Sequence, residues 1–368
     1  MANTADAVYM QRALHLAEKG RGKTSPNPMV GAVIVKAGEI VGEGYHRQVG
    51  QDHAELAAIR KAGRKAKGAT LYVNLEPCGH TGRTGPCTDA IIKAGIKKVV
   101  FSMIDPDPRV NGKGIRILKK AGLAVERGLQ RDEALLLNDS YFGYHRNKRS
   151  FVILKTAQTL DGRIATMTGD SKWISSPQSL KLAHRLRAEV DAVVVGLGTV
   201  RKDNPALTVR LVKGKNPYRI VLSSSLDFPP KCQILSNNGD CKTILASTAK
   251  AIERFSKAKR GRRGLIYWSL RTDRNGLLDL RDFITKAGEF GFHSLLIEGG
   301  GRLATSFLKA GLVDKYIVVT APMVLGSGIN AVGELHARKL TDAIAFERYF
   351  FEKNGTDNLF IGYPKKMT

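Results

Sequence analysis

Long hydrophobic runs are missing from this sequence: none approaches the roughly 20 apolar residues that span a bilayer. Met1 to Tyr9 also lack the basic start and apolar stretch of a secretory leader, so a soluble cytoplasmic protein is expected. Cysteine is scarce. Four in 368 residues are too few for a disulfide framework, which leaves thiols or metal ligands. Acidic residues are outnumbered as well, 33 Asp and Glu against 59 Lys and Arg, for a formal net charge of +26. That excess suits a nucleic-acid partner, a merely solvated surface, or a field that gathers phosphorylated small molecules. Charge alone leaves all three open.

What is present points to two domains. The length exceeds what one core usually serves, and 43% hydrophobic residues can fill a large interior. A helix is predicted over 6–19, with Met10, Leu14 and Ala17 at helical spacing and Gly20 as a stop. Val30 to Val35 reads as a strand, Glu39 to Gly44 as its hairpin partner. A helix from His53, a strand at Thr70 to Leu75, a helix after Cys87, a strand at Lys98 to Met103 and a helix around Gly114 follow. This alternation argues an α/β layered domain with a largely parallel sheet. At His145 to Arg149 a basic stretch leads into a fresh apolar strand, so the domains are expected at 1–147 and 148–368. Six further strands are predicted, near Val193, Ile220, Ile244, Ile266, Leu296 and Ile317, making the second domain α/β too. Residues 229–290 carry no chemical signature.

The sharpest motif is His53-Ala54-Glu55, followed by Glu76-Pro77-Cys78 and Pro86-Cys87. One imidazole and two thiolates suit tetrahedral zinc and leave a fourth position for water, the arrangement of a catalytic metal. Glu55, two residues after His53, is placed to act as general acid/base without ligating. Cys87 begins a helix whose positive end favours a thiolate. H-x-E with downstream P-C elements is the pattern of zinc nucleobase deaminases, usually closed by P-C-x-x-C. Here eight residues separate Cys78 from Cys87. Cys232 and Cys241 repeat that gap without comparable neighbours and are read as coincidence.

The insertion Cys78-Gly79-His80-Thr81-Gly82-Arg83-Thr84-Gly85-Pro86-Cys87, with Ser25-Pro26-Asn27-Pro28, Gly44-Tyr45-His46 and Asn74-Leu75-Glu76-Pro77, resembles the deaminase half of the bifunctional RibD deaminase/reductases of riboflavin synthesis. The resemblance implies a three-layer fold like cytidine deaminase and a diaminopyrimidinone substrate bearing a ribosylamine 5-phosphate. It also implies that Asn27, His46 and Arg83 line the substrate pocket. Where the family often has Asp-Pro-Asn-Pro, this chain has Asp105-Pro106-Asp107-Pro108, so a contact made by that Asn would differ.

Downstream, Lys155-Thr156-Ala157-Gln158-Thr159-Leu160-Asp161-Gly162, Gly169 to Trp173, Leu186-Arg187, Gly196 to Arg210 and Glu298-Gly299-Gly300-Gly301-Arg302-Leu303 resemble the RibD reductase domain, whose fold is like dihydrofolate reductase. Ile297 to Gly301 reads as a strand ending in a glycine turn that opens a helix, where backbone N–H groups approach a phosphate. The resemblance implies that Ala157, Trp173, Thr199, Asp203, Ser224 and Gly299 to Gly301 contact NADPH. Ser171, Arg187, Leu207, Arg210 and Glu298 would hold the substrate, the arginines suiting its phosphate. Lys155 would polarise or protonate the sugar during hydride transfer. Ser223 stands where the family usually has Asp. The resemblance further implies a homo-oligomer, phosphorylated pyrimidines as partners, and no nucleic acid. Two rivals remain: a deaminase that edits nucleic acid, against which the long cysteine gap and the second domain speak, and a basic binding module with a structural zinc, which would not need Glu55.

Overall fold

The hairpin expected after Pro28 sets the geometry of the first half. Strand β1 (Gly31–Lys36) turns through Ala37 and Gly38, at φ 50° and 83°, into β2 (Glu39–Tyr45), a two-residue connection that matches the twist of its strands. The computed structural model describes residues 4–81, 85–172, 174–236, 239, 241–258 and 264–365. The chain divides into two units, Met1–Lys148 and Arg149–Thr368.

In the first unit β3 (Thr70–Leu75) is antiparallel to β1, while β4 (Lys98–Met103) and β5 (Ala124–Arg127) add in parallel, giving the order β2-β1-β3-β4-β5. The largely parallel sheet expected from strand and helix alternation is corrected to a mixed one. A tight turn leaves no length for a crossover, so β1 and β2 must run in opposite directions. Alternate residues then face opposite sides. Val33, Tyr72 and Val100 pack with Met10 and Leu14 of α1 (Thr4–Glu18). Ile34, Leu71, Val73 and Phe101 pack with Ala58 of α2 (Ala54–Ala62), Ile91 of α3 (Cys87–Lys93) and Leu118 of α4 (Lys113–Lys120). Helices thus cover both faces of the sheet, and α5 (Arg131–Leu137) and α6 (Asp139–Asn147) complete the unit.

The second unit is built on β6 (Phe151–Thr159), followed by β7 (Arg163–Ala165), α7 (Pro177–Glu189), β8 (Ala192–Gly196), α8 (Leu197–Asp203), β9 (Tyr218–Leu222) and α9 (Gln233–Ser236). Then come β10 (Thr243–Ser247), α10 (Ala249–Ala258), β11 (Leu265–Ser269), α11 (Leu280–Glu289), β12 (Ser294–Ile297), α12 (Gly301–Lys309), β13 (Lys315–Ala321), β14 (Ile329–Asn330), β15 (Phe346–Asn354) and β16 (Asp357–Pro364). Nine strands form one sheet in the order β11-β10-β9-β8-β12-β6-β13-β16-β15. Neighbours from β11 to β13 are parallel, and the terminal hairpin joins antiparallel through β16. Leu154, Val194, Ile220 and Leu295 meet Phe283 of α11 and Phe307 of α12 on one face. On the other, Ile153, Val193, Val221 and Leu245 meet Leu186 of α7, Val200 of α8 and Phe255 of α10. No helix among the described residues is long and apolar enough to cross a membrane.

Candidate functional site

His53 lies one residue earlier than the helical turn expected for it, capping α2 in an extended conformation at φ −69° and ψ 160°. Its ring is thereby turned toward α3, whose first residue is Cys87. His53 Nδ1 lies 3.2 Å from Cys87 Sγ and 3.6 Å from Cys78 Sγ, and the Cys87 N–H points at Cys78 Sγ from 3.5 Å. The donor atoms of His53, Cys78 and Cys87 all lie within 4.8 Å of one another, and no other cluster of metal-ligating side chains is found among the described residues. Two Zn–S bonds of about 2.3 Å at a tetrahedral angle separate their sulfurs by ~3.8 Å, so these residues fit one zinc ion.

The protons of the three donors are shared. The Cys87 thiol stabilises a thiolate on Cys78, pulling it down to about 4, and that thiolate in turn lifts His53 to about 9. Cys87 is the nearer sulfur to the ring, yet the charge sits on Cys78, because Cys87 is pushed up by donating to Cys78 and by burial. Metal binding displaces these protons. Glu55, only 4% exposed, is the second residue of α2, and burial raises its carboxyl above the ordinary range against the pull of His53.

His46 and Asn27 are tied to the same cluster. His46 Nδ1 lies 3.1 Å from the Asp52 carbonyl and its Nε2 3.1 Å from Asn27 Nδ2. A carbonyl only accepts, so the proton is on Nδ1 and Asn27 donates to Nε2. Burial lowers His46, keeping it neutral, and its ring meets His53 edge-on at 5.5 Å. Asn27 and His46 are thus brought to the donor cluster. Arg83 lies outside the described residues.

In the second unit Thr199, Ser224, Glu298 and Gly299 to Gly301 follow the carboxyl ends of parallel strands β8, β9 and β12, where open α/β sheets bind ligands. Leu154 pairs with Ile297, which sets Lys155 and Glu298 side by side on adjacent strands. Burial lowers Lys155, with Glu298 opposing. Arg187 Nε and Nη2 both donate to Glu298 Oε2, at 2.9 and 2.6 Å, and its Nη1 reaches the Thr208 carbonyl at 3.4 Å. Glu298 Oε1 is buried and accepts no hydrogen bond. Thr199 Oγ1 accepts the Gly300 N–H at 3.2 Å. A Cβ on Gly301 would lie 2.2 Å from the Asn330 carbonyl, so its glycine is required by packing, whereas a Cβ on Gly299 would collide with the Leu303 side chain. Asp203 and Arg210 line one cavity of about 480 Å³. Leu207 is packed in the core, 3% exposed at φ 53°, so its side chain is not offered to a ligand. Ala157 lies on β6, Ser171 in the loop before α7, and Ser224 is exposed just beyond β9. Trp173 lies outside the described residues.

Residues 150–349 match the RibD C-terminal domain, and residues 3–103 match the cytidine and deoxycytidylate deaminase zinc-binding region. The riboflavin biosynthesis protein RibD of Aquifex aeolicus is 46% identical over 97% of this chain and 98% of its own. The chain belongs to the RibD family. RibD of Escherichia coli is 43% identical over 93% of this chain and 95% of its own. The solved RibD of Acinetobacter baumannii superposes with a TM-score of 0.86 at 34% identity, over 98% of this chain and 99% of that one. A diaminohydroxyphosphoribosylaminopyrimidine deaminase/5-amino-6-(5-phosphoribosylamino)uracil reductase from Thermotoga maritima gives the same TM-score, identity and coverage. Like its relatives this chain is a bifunctional enzyme of riboflavin biosynthesis, a deaminase joined to a reductase, with zinc and NADPH as cofactors and small phosphorylated pyrimidines as substrates.

Sequence reasoning passed over two supports of the RibD sites. Glu76, in the motif that carries Cys78, is a cap: its carboxylate accepts N–H groups of Asp105, Gly112 and Ile115 at 3.3, 2.9 and 3.2 Å. A Cβ on Gly114 would lie 2.0 Å from the Pro77 carbonyl, so α4 starts against the ligand-bearing turn only because Gly114 is bare. Asn74 and Asn138 similarly pin Met29, two residues after Asn27. The available signal was an Asn or Glu within or beside a motif among apolar neighbours, since such a polar group needs hydrogen-bond partners once buried. The two departures from the family pattern also have local accounts. Asp107 is engaged by the Arg109 backbone and guanidinium, and the Ser223 hydroxyl accepts the N–H groups of Ser225 and Leu226, a turn contact that Asp also makes.

Proposed function

We propose that residues 1–147 deaminate a diaminopyrimidinone carrying a ribosylamine 5-phosphate, and that residues 148–368 then reduce its ribosyl group to ribityl. The observation that carries the first half is one imidazole and two sulfur donors clustered beside a buried carboxylate. His53, Cys78 and Cys87 would hold a zinc ion, which would supply an activated water when bound. Glu55 holds a proton at its carboxyl, a task its burial favours, and passes it to the departing amine. Neutral His46 orients Asn27, leaving Asn27 Oδ1 as an acceptor for a pyrimidine N–H; Arg83, by the family resemblance, joins them in binding the substrate.

For the second half, Ala157, Trp173, Thr199, Asp203, Ser224 and the turn from Gly299 to Gly301 would hold NADPH, which would supply the hydride when bound. Lys155, whose charged form burial disfavours, gives a proton to the sugar oxygen as the ring opens. Glu298 Oε1 is an acceptor for a sugar hydroxyl, and Ser171 and the Leu207 backbone complete the wall. Most of the Arg187 fork is already committed to Glu298 and Thr208, so the phosphate falls chiefly to exposed Arg210. A cytoplasmic homo-oligomer, with no nucleic-acid partner, completes the proposal. The test is to supply the diaminopyrimidinone phosphate with and without NADPH, following ammonia and cofactor absorbance separately. Ammonia is expected in both samples and NADPH oxidation only after deamination. Oxidation of NADPH without prior ammonia release would overturn the order.

A further inference from the structure

The largest fully buried side chain among the described residues is a cation: Arg219 of β9 is 0% exposed. Its Nη1 donates to the Ala206 carbonyl at 3.1 Å, and its Nη2 to the Ile234 carbonyl, the Cys241 carbonyl and Thr243 Oγ1 at 3.3, 3.2 and 2.7 Å. An aliphatic residue would fill a strand core at lower desolvation cost. What a guanidinium alone provides there is a rigid fork that fixes several carbonyl oxygens at once.

One of those carbonyls belongs to an unusual stretch. Asn204 and Leu207 both have left-handed backbones, at φ 41° and 53°, conformations that persist only where the surroundings over-determine them. Arg219 grips the stretch between them. From the other side His184 Nδ1 accepts the Arg210 N–H at 3.0 Å, and Arg187 reaches Thr208. Gln233, whose N–H bonds Asn204 Oδ1 at 2.8 Å, joins Asp203, Ala206, Thr208 and Arg210 around the cavity of about 480 Å³. The residue Arg219 holds therefore also lines the cavity.

We propose that Arg219 is a positioning residue of the reductase site: by fixing the Ala206 carbonyl it sets the 203–210 backbone so that Asp203 and Arg210 face one cavity before an anionic ligand arrives. It touches no ligand itself. The proposal rests on reading 203–210 as ligand-binding. Its effect is preorganisation, which lowers the ordering cost of binding.

The test uses the zinc-loaded full chain with the deaminated phosphoribosylaminouracil and NADPH. Arg219→Lys keeps a cation but loses the fork. It should raise KM for substrate, cofactor or both by about ten-fold, with kcat little changed, and leave ammonia release as it was. Thr243→Val removes a partner of the same guanidinium without touching the 203–210 segment, and should lower Tm without moving KM. If Arg219→Lys folds and keeps wild-type KM values, or if Thr243→Val raises KM equally, the positioning role is wrong. Should Arg219→Lys not fold, Ala206→Gly decides, because it loosens the segment while keeping the core: a raised KM supports the proposal and an unchanged one sinks it. A wild-type chain that oxidises no NADPH fails the reductase reading itself, whereas an active wild type with indifferent variants fails only Arg219.

Discussion

At the scale of single residues, Glu55 and Cys87 sit in one cluster yet answer to different tests. Cys87 is a donor, so Cys87→Ala should lose the zinc by elemental analysis, while Cys232→Ala should retain it. Cys232 and Cys241 are buried in the other unit, and the Cys241 thiol donates to the Pro217 carbonyl at 3.0 Å. Glu55 is not a donor, so Glu55→Gln should keep the zinc and lower the rate of ammonia release by about 10³-fold, the scale of a lost proton shuttle. A Glu55→Gln chain that lost its metal would make that residue a ligand instead. In the other half Lys155→Met should slow NADPH oxidation and spare ammonia release. Both sets of residue types were readable from the sequence, because metal chemistry restricts which side chains can serve. The proton arrangement was not: it depends on which sulfur the other thiol faces.

Elements explain how such residues are held. The turn after β3 carries Cys78 and is joined to α4 through Glu76, which takes three backbone N–H groups. Glu76→Ala strands those buried donors and should destabilise the first unit by roughly 3 kcal/mol or more, read as a lower midpoint in urea. Asp105, next along this network, is buried among Tyr141, Asp107 and Glu76, and burial raises its carboxyl from 3.8 to about 7. The neutral acid is therefore the form the fold favours. Its stabilisation is full below the unfolded value near 3.8 and is lost as pH rises through about 7. Stability of the zinc-loaded first unit should fall over that window by up to about 4 kcal/mol. Asp105→Asn, which keeps the acceptor for the Tyr141 hydroxyl and the Asp107 N–H, should flatten the slope in urea titrations at pH 4, 5.5 and 7. An unchanged slope would place the titration elsewhere.

For the whole molecule, the donors of the zinc site all precede residue 88 and the reductase candidates all follow residue 150, in separate units. The two activities should therefore separate. Glu55→Gln should still oxidise NADPH when given the deaminated intermediate, and loss of that reaction in a folded protein would require an obligately coupled site. The charge of +26 acts over the entire surface. If it gathers phosphorylated substrates, added salt should raise KM for both reactions and RNA should compete weakly; tight RNA binding at physiological salt would reverse that reading.

Local chemistry and spacing in the sequence by themselves determined the cluster of His53, Cys78 and Cys87, the choice of Glu55 as candidate acid/base, the hairpin after Pro28, and the seven parallel strands of the second sheet, though not β7. Each depends on nearest neighbours along the chain or on a period of two. Only the tertiary structure decided that the first sheet is mixed, that β15 and β16 extend the second one, that Arg187 is paired with Glu298, and that Leu207 turns its side chain into the core. Strand order, the company of a buried charge and the conformation of a clamped loop are fixed by residues tens to hundreds of positions away. Arg219 shows the limit most plainly: on a strand reading Tyr218 to Leu222 it passes for a surface arginine, and carbonyls contributed by three distant segments are what make its burial tolerable.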